Sequence, residues 1–149
     1  MKEEGDKELR SKVIECSKMV ENDPLDYHAF NERGTCEFQL HDFEGALNDY
    51  KRALKINPDF AKGYYNLGLL YHNLERLHKA IYYYGKAIKI DPEFAEAYCN
   101  RGVVKAQKKH FKSALNDFNK AIERKMELII AYQNKSFVKK EMELLKESH

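Results

Sequence analysis

Apolar side chains return along this chain at helical spacing, in short blocks separated by shorter polar stretches. Between residues 61 and 94, Tyr64, Leu67, Gly68 and Tyr71 mark one stripe. Leu77, Ala80, Ile81, Tyr84, Ala87 and Ile88 mark a second. The polar junction at residues 73–76 predicts a helix–helix turn. Pro92, after Asp91, ends the second block, because proline lacks a backbone donor and disfavours helix in the residue before it. The predicted unit is a helical hairpin.

That unit recurs with a period of 34: Pro24, Pro58 and Pro92 keep it, as do Gly34, Gly68 and Gly102. So do Phe30, Tyr64, Tyr98 and Tyr132, and the alanine sets Ala46, Ala80, Ala114 and Ala53, Ala87, Ala121. Tyr50, Tyr84 and Phe118 complete the register. The best copy reads Tyr64-x2-Leu67-Gly68-x2-Tyr71, then Ala80-x3-Tyr84, then Pro92. In this it resembles the tetratricopeptide repeat (TPR) family, whose unit has that length and pattern. The resemblance implies an all-α fold, a right-handed α-solenoid of helix-turn-helix hairpins. Three full repeats are expected at 27–60, 61–94 and 95–128, with an N-terminal helix over 7–23 and a C-terminal capping helix over 129–149. One domain, 1–149, contains them all.

The slots have physical reasons of their own. A helix-interior glycine costs about 1 kcal/mol against alanine, so Gly34, Gly68 and Gly102 predict close approach by the second helix. Ala46, Ala80 and Ala114 are expected to face them, with aromatic rings filling the remaining space. In the slot of Leu67 stand Arg33 and Arg101, and sixteen residues later Tyr83 is matched by Asp49 and Asp117. This joint switch predicts the ion pairs Arg33–Asp49 and Arg101–Asp117. In the N-terminal helix Leu9, Val13, Cys16 and Val20 should face the first repeat. The last helix should show a polar outer face through Lys139, Lys140, Glu141, Glu143 and Lys146. Met126 stands where proline is expected, which predicts a looser junction or more continuous helices there.

Composition narrows the classes. With 26 Lys+Arg against 24 Asp+Glu, net charge +2, pI near 8.3 and mean hydropathy −0.74, neither a membrane span nor a dedicated nucleic-acid binder is expected. Cys16, Cys36 and Cys99 lack paired spacing, and no secretory leader is visible, so free thiols and a cytoplasmic location are expected. Charge is polarised: residues 1–50 have six basic and thirteen acidic side chains, net −7. Residues 51–104 have nine and five, net +4, and residues 105–149 eleven and six, net +5.

No nucleophile elbow, phosphate loop, HExxH or Cys-x2-Cys pair occurs, so an enzyme, a metal site and a cofactor are not expected. The resemblance implies an interaction scaffold whose first-type helices line a concave groove for a peptide or partner helix. Asn66, Asn100 and Asn134 share one slot, and family members with such an asparagine ladder hold extended peptides by their backbone. A carboxamide has both donor and acceptor, so it can bracket a peptide unit whatever its side chains. Asn31, Lys62, Tyr65, Leu69, Val103 and Phe137 complete the expected peptide site. Exchanging Asn66 and Asn100 for alanine is expected to weaken binding while leaving stability nearly unchanged. A second family mode grips a C-terminal carboxylate with Lys, Arg and Asn. Asn66 fits it, but Asn31, Thr35, Glu96 and Asn100 occupy the other positions, and Glu96 would repel an acidic tail. Self-assembly through the end helices, or a nucleic-acid-associated role for the basic C-terminal portion, are the alternatives.

Overall fold

The computed structural model describes residues 2–147 and contains eight helices within them. They are α1 (Lys2–Asn22), α2 (Tyr27–Gln39), α3 (Phe43–Ile56), α4 (Ala61–Asn73), α5 (Leu77–Ile90), α6 (Ala95–Gln107), α7 (Phe111–Arg124) and α8 (Ile129–Glu147). The all-α repeat solenoid is therefore present, with α2–α3, α4–α5 and α6–α7 as its hairpins. Among the described residues no helix is long and apolar enough to cross a membrane. α1 begins ahead of its expected start at residue 7, with Glu3 and Glu4 favourably placed against the dipole in its first turn.

Two kinds of turn alternate. Each hairpin turn closes with a residue in the left-handed region: His41 (φ 63°), Glu75 (φ 56°) and Lys109 (φ 61°). At the first, the His41 amide donates to Phe38 O and the Asp42 amide to Glu37 O; the other two repeat both bonds in register. These are Schellman closures made without glycine. Between hairpins, Asp23, Asn57 and Asp91, each just before a proline, accept from the amide two residues on, at 3.0–3.1 Å. Lys125-Met126 cannot copy that side-chain bond. Its turn nonetheless closes through Leu128 N to Lys125 O at 3.1 Å, so the expected looseness is absent.

Within each hairpin the two helices nest through a glycine-to-ring contact. A Cβ on Gly34 would lie 3.0 Å from the Tyr50 ring, on Gly68 2.6 Å from Tyr84, and on Gly102 2.7 Å from Phe118. The rings, rather than the expected Ala46, Ala80 and Ala114, are the nearest groups facing the glycines. Those alanines are fully buried in the same seams. Tyr50 Oη reaches Thr35 Oγ1 at 3.4 Å, whereas Tyr84 Oη is buried without a partner because Leu69 holds the threonine's slot.

Both sequence-derived ion pairs form and are bidentate. Arg33 Nε and Nη2 donate to Asp49 at 2.6 and 2.8 Å, and Arg101 to Asp117 at 2.9 and 2.8 Å. Lys105 Nζ adds a third donor to the fully buried Asp117 at 2.7 Å. In the middle repeat Leu67 is buried, and Tyr83 stacks on Tyr71 with centroids 5.2 Å apart. Where repeat three has Lys105, repeat one has Glu37 beside Asp49. Burial, then the Asp49 charge, push the Glu37 carboxyl from 4.5 up to about 7, with Arg33 opposing and Asp42 adding to the rise. Its Oε2 has no hydrogen-bond partner.

Three outcomes are expected. Gly68→Ala should cost about 1–3 kcal/mol in chemical denaturation, since the ring it meets is backed by a packed seam. Gly85→Ala should stabilise by about 0.5–1 kcal/mol, because the new Cβ meets only Arg101 Nη1 at 3.6 Å. The folded Glu37 keeps its proton where the unfolded chain has lost it. Its contribution is full below about 4.5 and is lost as pH rises through about 7. Melting temperature measured across that window should therefore fall less steeply in Glu37→Gln than in the parent.

Candidate functional site: the face of the first-type helices

α2 touches α4, and α6 touches α8, whereas α3, α5 and α7 make no comparable contact with one another among the described residues. The first-type helices thus crowd together on one side and the second-type helices splay apart on the other. The sequence-derived site residues all belong to the crowded side. They do not form one continuous pocket.

Asn31, Lys62 and Asn66 line a cleft of about 430 Å³ together with Thr35 and, from α1, Lys12 and Cys16. Val103, Asn134 and Phe137 line a smaller cavity of about 190 Å³ over Phe118. Leu69 lies between them, in a shallow depression with Phe38, His72 and Asn73. The sequence set Cys16 toward the first repeat but gave no sign that α1 would line a cleft beside the groove, because a second-type helix is expected to face away from it. It reaches the cleft because no first-type helix precedes it among the described residues.

The asparagine slot has a use that spacing alone did not reveal. Asn66 Nδ2 donates to Asn31 Oδ1 at 2.8 Å, and Asn100 Nδ2 donates to Tyr65 Oη at 3.0 Å. Asn134, in the same slot, acts on the Cys99 thiol of α6, opposing the rise that burial gives it. Each bond joins one repeat to the residue thirty-five places earlier, one more than the period, so it links successive first-type helices. His72 and Gln107 form a further link at 3.0 Å. Asn66 and Asn100 each retain an oxygen and one N–H for another partner.

Burial is uneven along the ladder. Asn31 and Asn66 are buried, Asn100 and Asn134 are half-buried, and Phe137 is 60% exposed. Burial raises the Tyr65 hydroxyl, with the Asn100 bond opposing. Burial also raises the thiols of Cys16, Cys36 and Cys99, keeping them protonated and unreactive. Glu96 is held below its ordinary range by Lys125, whose Nζ lies 2.7 Å from Oε1.

Family profiles described as TPR repeat and Tetratricopeptide repeat match residues 34–75, 61–94 and 95–125, together more than half of the sequence. The chain belongs to the tetratricopeptide repeat family. Heat shock protein STI1 of Saccharomyces cerevisiae is 36% identical over 73 residues, covering 49% of this chain and 12% of its own length. This TPR chain therefore spans only a small part of that relative. Among solved structures, the crystal structure of MamA has a TM-score of 0.80 at 22% identity, covering 89% of this chain and 77% of that one. The first TPR of Spaghetti (RPAP3), solved with the HSP90 peptide SRMEEVD, has a TM-score of 0.75 at 16% identity, covering 78% and 92%.

The ladder changes what alanine substitution does. Asn66→Ala leaves the buried Asn31 oxygen without its donor, a loss of about 1–3 kcal/mol, so the expectation of unchanged stability does not hold there. Asn100→Ala releases a half-exposed tyrosine hydroxyl that water can reach, and should cost less. Calorimetric melting of the two variants side by side is the check, with the larger fall expected for Asn66→Ala.

Proposed function

We propose that this TPR chain is a non-enzymatic interaction module that holds an extended peptide along the face of α2, α4, α6 and α8. What supports the reading is the register of Asn66, Asn100 and Asn134. Each lies one repeat from the next, and Asn66 and Asn100 are oriented by a bond to the preceding helix that leaves unused donor and acceptor groups on both. Such groups recognise peptide backbone, whose amides recur whatever the side chains. Leu69, Val103 and Phe137 supply apolar contact beside them, and affinity would rest on a few such anchors. Lys62 and Asn31 extend the site to the wider cleft.

The TPR domain of Spaghetti holds an acidic peptide, SRMEEVD. The present groove disfavours an acidic tail. Glu96 occupies the first-type helix of repeat three where a cation is needed, and the nearby Lys125 is already paired with it.

A random-peptide display selection against the chain tests the reading. Selected peptides should perturb backbone NMR signals of α4, α6 and α8, and should lose about tenfold or more in affinity to a Leu69→Glu, Asn100→Ala variant. Perturbations confined to α3, α5 and α7, or affinity untouched by that variant, would sink the assignment.

A further inference from the structure

The two end helices are complementary halves of a hairpin. By register α1 is a second-type helix with no first-type partner among the described residues, and α8 is a first-type helix with no second-type partner. Both therefore show faces that are sealed elsewhere. Lys12, Cys16 and Met19, in the slots of Ala46, Tyr50 and Ala53, line the 430 Å³ cleft instead of a packed seam. Tyr132 is 47% exposed, whereas Tyr98 in the same slot is 5% exposed. Besides its expected polar residues, α8 also exposes Ile129, Ile130 and Leu144.

We infer that α8 of one copy docks into the open berth between α1 and α2 of a second copy, completing a hairpin between chains. Advancing the second copy by four repeat lengths tests the register, and contacts seen within the chain recur across the junction. Glu15 falls in the slot of Asp49 and Asp117, while Lys135 and Lys139 fall in those of Arg101 and Lys105. The buried cluster of Asp117 with two cations is thus rebuilt as Glu15 with Lys135 and Lys139.

Lys18 falls in the slot of Arg52 and Lys120, which lie over the rings of Phe30 and Tyr98, and so meets Tyr132. Glu32 takes the slot of Asn66 and Asn100 and meets Gln133, in the slot of Asn31 and Tyr65. A carboxamide N–H there donates to the carboxylate. Sizes also match, because Ser136 replaces the glycine but Cys16 replaces the ring that needed it. The net charges of the two ends, −7 over residues 1–50 and +5 over residues 105–149, favour this order and oppose like ends meeting. Such a contact is heterologous and open, so copies add in a row. It fills the α1–α2 cleft to which the groove reading extends through Asn31 and Lys62, and leaves the rest of that face free.

Sedimentation velocity of the whole chain over a concentration series is the test. The mean mass should climb from 17.6 kDa past two chains at low salt and fall back at high salt. Glu15→Lys, and separately Lys135→Glu with Lys139→Glu, should each weaken association about tenfold or more. Mixing those two variants should restore it, since every junction is then matched. A wild-type mass fixed at one chain, a mass that stops at two chains whatever the charges, or a mixture no stronger than its components would each overturn the inference.

Discussion

The contact between a helix-interior glycine and an aromatic ring of the next helix sets the geometry of everything else. Gly68 and Gly102 admit Tyr84 and Phe118 to distances at which a Cβ could not remain, and Gly34 admits Tyr50 to one at which the ring would have to give way. That approach is close enough for Arg33 and Arg101 to reach Asp49 and Asp117 with both guanidinium arms. Lose the close approach and the ion pairs that cross the same hairpins lengthen.

The three hairpins solve one packing problem with different chemistry. Repeats one and three hold an ion pair where repeat two stacks Tyr83 on Tyr71. Neither choice is isolated, since one charge without its partner in that seam would be desolvated and uncompensated. Glu37 is the exception. It brings a second carboxyl to Asp49 and lifts its own affinity for a proton, giving one end of the solenoid a pH dependence that the Lys105 of repeat three lacks.

The asparagines serve two tasks with one group. A carboxamide has more hydrogen-bonding sites than a single neighbour uses, so the bond that orients it against the preceding helix leaves others free. This is how a solenoid can present peptide-recognising groups on a fixed spacing without leaving them loose. It also means that stability and recognition are linked at Asn66, where the acceptor is buried, more than at Asn100, where it is half-exposed.

A period of thirty-four in glycine, alanine, proline and aromatic positions was enough to determined helix number, hairpin pairing and family, because side-chain volume at matched points dictates how such helices can nest. The joint switch of Arg33 with Asp49 and Arg101 with Asp117 was legible too, since charge must be neutralised in pairs. Tertiary structure alone decided that rings rather than alanines meet the glycines, and that His41, Glu75 and Lys109 close their turns in the left-handed region. It alone revealed the ladder at thirty-five, the lining of the cleft by α1, and the raised carboxyl of Glu37. The physical reason is common to all of these: they depend on the angle between neighbouring helices and on which atoms that angle removes from water. Periodicity along the chain fixes the partners but not the tilt.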